Sequence, residues 1–167
     1  MSIRSRRREA EELDAGSDDA RYASVLVVHE DADGCEVLAR VLERGTGLMV
    51  MRAHDPREMA DALRNQPTCV VLDVTAGGVG GNLKLLDAVR NHTDEVTAAA
   101  RVILIAASSS NEMFSWQAGI DAFLKRPFHA DELVATVQDA IARPDDERRA
   151  HRREMIEQIA NGRRPGR

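Results

Sequence analysis

The chain has 167 residues, a net charge of −5, 43% hydrophobic and 3% aromatic residues, enough for one domain with a core built from aliphatic side chains. No apolar run approaches the ~18 residues of a membrane span, and the basic N-terminus has no apolar segment behind it, so a soluble, cytoplasmic protein is expected. Cys35 and Cys69 lack metal-type spacing and read as free thiols in a reducing setting.

Residues 1–21 mix arginines with acids and carry almost nothing apolar, which predicts a disordered tail. Val25-Leu26-Val27-Val28 then forms a continuous apolar run ending in His29-Glu30-Asp31, a buried strand with polar groups at its C-terminal end. Val37, Leu38, Val41 and Leu42 at helical spacing predict a first helix closed by Gly45 and Gly47. A second strand, Leu48–Ala53, leads to Asp55-Pro56-Arg57-Glu58, where an N-cap, a first-turn proline and a glutamate three residues after the cap start a second helix at Pro56. That helix buries Met59, Ala62 and Leu63 and stops before Pro67.

Cys69–Asp73 is the third strand, followed by a glycine-rich loop through Gly81 and a third helix marked by Leu83, Leu85, Leu86 and Val89. Val102–Ala106 is the fourth strand. Ser108–Ser110 cap a fourth helix running to Gln117, Ile120–Leu124 is a short fifth strand, and a fifth helix with Leu133, Val134, Val137 and Ile141 ends near Pro144. Strands and helices alternating every ~20 to 25 residues predict an α/β fold, a doubly wound, five-stranded parallel sheet with helices on both faces. Residues 22–143 form this domain. Residues 144–167 add a charged helix, with acids first, arginines after and a Met155/Ile156/Ile159 stripe, and then a basic tail.

A carboxylate where a parallel strand opens into a loop lies where open α/β sheets do chemistry, so Asp73 is the first candidate for a reactive residue. Three segments converge with it at the strand ends: His29-Glu30-Asp31, Asp73, and Lys125-Arg126-Pro127-Phe128. Together with Ala118-Gly119-Ile120-Asp121-Ala122-Phe123-Leu124, which runs into that last segment, they resemble the receiver domain of two-component response regulators from Ser24 to about Arg143.

The resemblance implies a flavodoxin-like fold without enzymatic turnover, in which Asp73 is the phosphoacceptor for a sensor histidine kinase or phosphotransfer protein. It implies magnesium held by acids after the first strand, Asp73 and the carbonyl of Thr75. On this mapping His29 and Glu30 stand at the acid pair, Ala106 at the Thr/Ser that binds a phosphoryl oxygen, Phe123 at the mobile aromatic, Arg126 at the lysine and Pro127 after a cis bond. Only the acceptor is strictly retained. His29 removes a hard oxygen ligand, Ala106 removes a hydroxyl, and Arg126 exchanges a compact ammonium for a directional fork, so weak magnesium binding and slow or absent phosphorylation are expected.

The functional expectation is therefore an atypical receiver acting as a protein-interaction module, a phosphoprotein if Asp73 still reacts. Its partner face is the fourth helix, fifth strand and fifth helix, or the C-terminal helix. The alternatives are a phosphorylation-independent adaptor and a small nucleic-acid binder using the C-terminal arginines; acids among those arginines and the absence of interleaved aromatics argue against nucleic acid. A mixed site of His29, Glu30 and Asp73 for manganese or zinc ranks below a histidine that only hydrogen-bonds the pocket. The Gly78–Gly81 run lacks the full spacing of a dinucleotide loop, and no second acid follows Asp73 at a spacing useful to a hydrolase.

Overall fold

Alternate residues of the first strand face opposite ways, and two separate cores follow from it. The computed structural model describes residues 22–73 and 78–162; the expectations for the tail 1–21, the carbonyl of Thr75, the start of the glycine-rich loop and residues 163–167 fall outside them. Strand β1 (Ser24–His29) sits between β2 (Met49–Ala53) and β3 (Cys69–Asp73), with β4 (Arg101–Ala106) and β5 (Ala122–Lys125) beyond, all parallel in the order β2-β1-β3-β4-β5. Leu26 and Val28 of β1 join one core with Leu72, Leu86 and Trp116. Val25 and Val27 join the other with Leu42, Leu133 and Val137. A strand buried on both faces needs the unbroken apolar run seen here rather than an alternating one.

Helices α1 (Ala32–Thr46) and α6 (Ala130–Ala142) cover one face. Helices α2 (Pro56–Leu63), α3 (Gly78–Arg90) and α5 (Glu112–Ala118) cover the other, with a single turn α4 (Glu95–Ala98) before β4. Helix α7 (Asp145–Ala160) packs on α5. Among the described residues no helix is long and apolar enough to cross a membrane.

The start of α2 forms as its residues predict: Asp55 accepts from the Glu58 N–H at 2.7 Å, and the Glu58 carboxylate accepts from His54 N–H at 2.7 Å. Several boundaries differ; β2 begins at Met49 rather than Leu48 and β4 at Arg101 rather than Val102. Gly45 does not end α1; it lies inside it, where a Cβ would come within 2.4 Å of Val134 Cγ2, so it serves the close approach of α1 and α6. Gly47 ends the helix, with φ +70. The glycine run is not loop throughout, because α3 begins at Gly78.

Ser108–Ser110 do not cap the fourth major helix. Ser108 and Ser110 hydrogen-bond each other at 2.7 Å, and α5 starts after Asn111, whose side chain makes no cap bond. Strand β5 starts at Ala122 rather than Ile120, because Gly119 turns the chain with φ +106 and Asp121 is taken up by side-chain bonds. The turn α4 has too few residues for a periodic signal, although Asp94 caps it through the Thr97 N–H.

Candidate functional site

In this strand order the chain leaves β1 toward β2 on one side and returns to β3 on the other, which opens a crevice at the C-terminal ends of β1 and β3. His29 and Asp73 are register partners there. Asp73 is 1% exposed, and its Oδ2 receives the Arg126 guanidinium and lies 3.4 Å from His29 Nε2. Its Oδ1 is buried without a hydrogen-bond partner among the described residues.

The imidazole is fixed from three sides. The Asp31 N–H donates to His29 Nδ1 at 3.0 Å, and only an unprotonated nitrogen can accept, so the ring proton belongs to Nε2, facing Asp73. Asp31 is also the N-cap of α1, its Oδ2 accepting from Gly34 N–H at 2.7 Å. Gly34 leaves room for the ring: a Cβ there would lie 2.6 Å from His29 Nε2.

Burial raises the Asp73 carboxyl above the usual carboxylate range; the adjacent Arg126 and His29 oppose the rise, and Glu30 adds to it by repulsion. Glu30 is exposed in the turn after β1. Ala106 ends β4, where its carbonyl accepts from Arg126 N–H at 2.9 Å and so carries the arginine to the pocket mouth. Phe123 is half-buried on β5, packed against the Leu26 and Val28 core. The Arg126–Pro127 bond is cis. His29, Asp73 and Arg126 thus share one pocket, with Glu30 and Ala106 at its edge, while Thr75 lies outside the described residues. Among the described residues, no three His, Cys, Asp or Glu side chains are grouped to hold a metal ion.

At the opposite ends of the strands is a second polar centre, which the sequence reading passed over. Asp121, 4% exposed, accepts from Arg90 Nη2 at 3.0 Å, Arg148 Nε at 2.8 Å, Arg152 Nη2 at 3.3 Å and the Val102 N–H at 2.9 Å. The same arginines bond the carbonyls of Ala98, Ala99, Ala100, Gly119 and Ile120. These carbonyls lie at or just after the C-terminal ends of α4 and α5, where unpaired helix carbonyls leave partial negative charge. Burial opposes ionisation of Asp121, yet the hydrogen bonds and charges of its arginines hold its carboxyl below the usual range. The available signal was an Arg-x-x-x-Arg pair beside a methionine on an otherwise solvated helix, together with an aspartate inside an apolar segment.

The family model described as the response regulator receiver domain matches residues 25–138. The transcriptional regulatory protein PrrA of Mycobacterium tuberculosis is 34% identical over 123 residues, 71% of this chain and 50% of PrrA. The DNA-binding response regulator MtrA of the same organism is 29% identical over 132 residues, 77% of this chain and 55% of MtrA. The chain therefore spans about half the length of these curated relatives. Among solved structures, a putative response regulator from Chloroflexus aurantiacus superposes with a TM-score of 0.62 at 30% identity, covering 72% of this chain and 98% of that one. With a five-stranded parallel sheet in the 2-1-3-4-5 order and an aspartate at its β1/β3 crevice, the chain belongs to the response regulator receiver domain family of two-component signalling.

Proposed function

We propose that this receiver is a protein-interaction module whose acceptor pocket is closed by its own side chains, so that it acts as an adaptor in two-component signalling largely independent of phosphorylation. Receiver domains of response regulators work with sensor histidine kinases or phosphotransfer proteins, which makes these the expected class of partner. One observation carries the reading: among the described residues Arg126 is hydrogen-bonded to Asp73 Oδ2, and His29 Nε2 lies 3.4 Å from the same oxygen.

The chemistry points the same way. A carboxylate that must attack phosphorus has to present a lone pair to the incoming group, and here Oδ2 is paired while Oδ1 is buried. Magnesium is common at the phosphorylation site of receiver domains. A hard dication needs several oxygen ligands, whereas here a guanidinium is bonded to Asp73 and an imidazole nitrogen lies 3.4 Å from the same carboxylate oxygen. The described residues therefore do not fit the ion. Ala106 has no hydroxyl to hold a phosphoryl oxygen, so a phosphorylated Asp73 would lack the donor that draws the end of β4 inward. No turnover is assigned to the chain.

The nucleic-acid reading is weakened by the C-terminal helix itself. Arg148 and Arg152 are turned into the protein toward Asp121, leaving Arg149 and Arg153 exposed among Asp146, Glu147, Glu154 and Glu157. Incubation with magnesium and acetyl phosphate, followed by intact-mass measurement, tests the proposal. An unchanged mass is expected, and a stoichiometric phosphoryl adduct at Asp73 would refute it.

A further inference from the structure

Helix α7 is held on the domain by few apolar contacts and many polar ones. Met155 is its one buried residue, with Ile156 and Ile159 packed at the edge of the Trp116 core, and His151 meets the Trp116 ring edge-on at a centroid distance of 5.6 Å. The polar grip is more extensive. Arg148 and Arg152, one helical turn apart, both reach Asp121, and between them they bond the carbonyls of Ala99, Gly119 and Ile120. None of these groups belongs to the Asp73 pocket.

Seen from the domain, this is a receptor surface: one buried carboxylate, a row of helix-end carbonyls and the apolar floor of Trp116. Its ligand is a helix with arginines four residues apart and a methionine three residues after the second. Only Arg143 and Pro144 separate α6 from α7, so the ligand is tethered at high effective concentration. A hinge this short also lets the same helix cross to a neighbouring molecule when it straightens. We propose that the α5 face with Asp121 is a helix-recognition site, that α7 occupies it in cis, and that its release opens the site to α7 of a second copy of this chain.

The sole tryptophan, Trp116, reports on the site directly, being 2% exposed beneath α7. The test uses the full-length chain carrying Arg148→Ala and Arg152→Ala, which leaves Asp121 its bonds to Arg90 and the Val102 N–H. The probe is a labelled peptide with the sequence of residues 145–162. The variant is expected to shift Trp116 emission to longer wavelength and to bind the peptide about 100-fold more tightly than the unaltered chain, whose tethered helix competes. Unshifted emission, or equal peptide affinity for the two chains, overturns the proposal. If the double variant loses its helical circular dichroism, Met155→Glu, which spares the Asp121 bonds, is read in the same way. Loss of fold in both variants also overturns it, since α7 would then be part of the folding unit rather than a ligand of it.

Discussion

His29 and Asp73 stand side by side at the ends of adjacent strands, His29 Nε2 3.4 Å from Asp73 Oδ2, and the geometry depends on a third residue that belongs to neither strand. Gly34, in the first turn of α1, leaves the space that the imidazole fills. Gly34→Ala should therefore destabilise the protein by about 1–2 kcal/mol through overpacking. In a His29→Ala background the same change should become neutral or stabilising by about 0.5 kcal/mol, since alanine is the better helix former. Urea denaturation of the four chains of this double-mutant cycle checks the reversal of sign; additive effects would refute the contact.

Arg126 is the cation that offsets the buried Asp73, though its own side chain is 37% exposed and partly screened by water. Arg126→Ala should cost about 1–2 kcal/mol at pH 7, below the value for a fully buried pair. Its removal leaves burial less opposed, so the Asp73 carboxyl moves further up. A raised folded value means that the stability contribution is complete below the unfolded pKa and is lost as pH rises through the folded one. The penalty of Arg126→Ala should accordingly be smaller at pH 4 than at pH 7, measured by denaturant midpoints at the two pH values.

Asp121 titrates with the opposite sign. Its carboxyl is held below the unfolded value, so its contribution is complete above that value, about 3.9, and is lost as pH falls through the folded value. Acidification below about pH 4 should loosen α7 and shift Trp116 emission to longer wavelength. Asp121→Asn leaves three arginines without their shared anion and should cost about 3–5 kcal/mol at pH 7. It should also flatten the acid limb of the stability profile; an acid transition unchanged in the variant would contradict the assignment.

Both cysteines are fully buried, and burial pushes both thiols up. Reaction with a thiol reagent at pH 7 should therefore follow transient opening of the fold and accelerate sharply in mild urea. Rapid labelling of either thiol in the native protein would place it at the surface and contradict the burial.

How far the residues foretold this structure depends on the range of the interactions involved. The unbroken run Val25–Val28 and the cap Asp55-Pro56-Arg57-Glu58 are local patterns, and β1 and the start of α2 follow from them. The strand ends were equally legible, because a parallel sheet places His29, Asp73 and Arg126 at one edge whatever the details of the loops. The pairing of Arg148 and Arg152 with Asp121 was not. It joins residues 27 and 31 positions apart through a helix whose other charges look solvated, and a lone aspartate beside β5 gives no sign of which cations will reach it. Gly45 misled for a related reason. A glycine near the end of a helix reads as a stop unless Val134 of another helix is known to lie against it.

The central claim is that Asp73 is already occupied by the protein's own donors. It is tested most directly by comparing the unaltered chain with Arg126→Lys carrying also His29→Asp and Ala106→Thr, each treated with magnesium and beryllofluoride and followed by fluorine NMR. A bound beryllofluoride resonance is expected for the triple variant alone. A saturable resonance from the unaltered chain, lost on Asp73→Asn, would contradict the account.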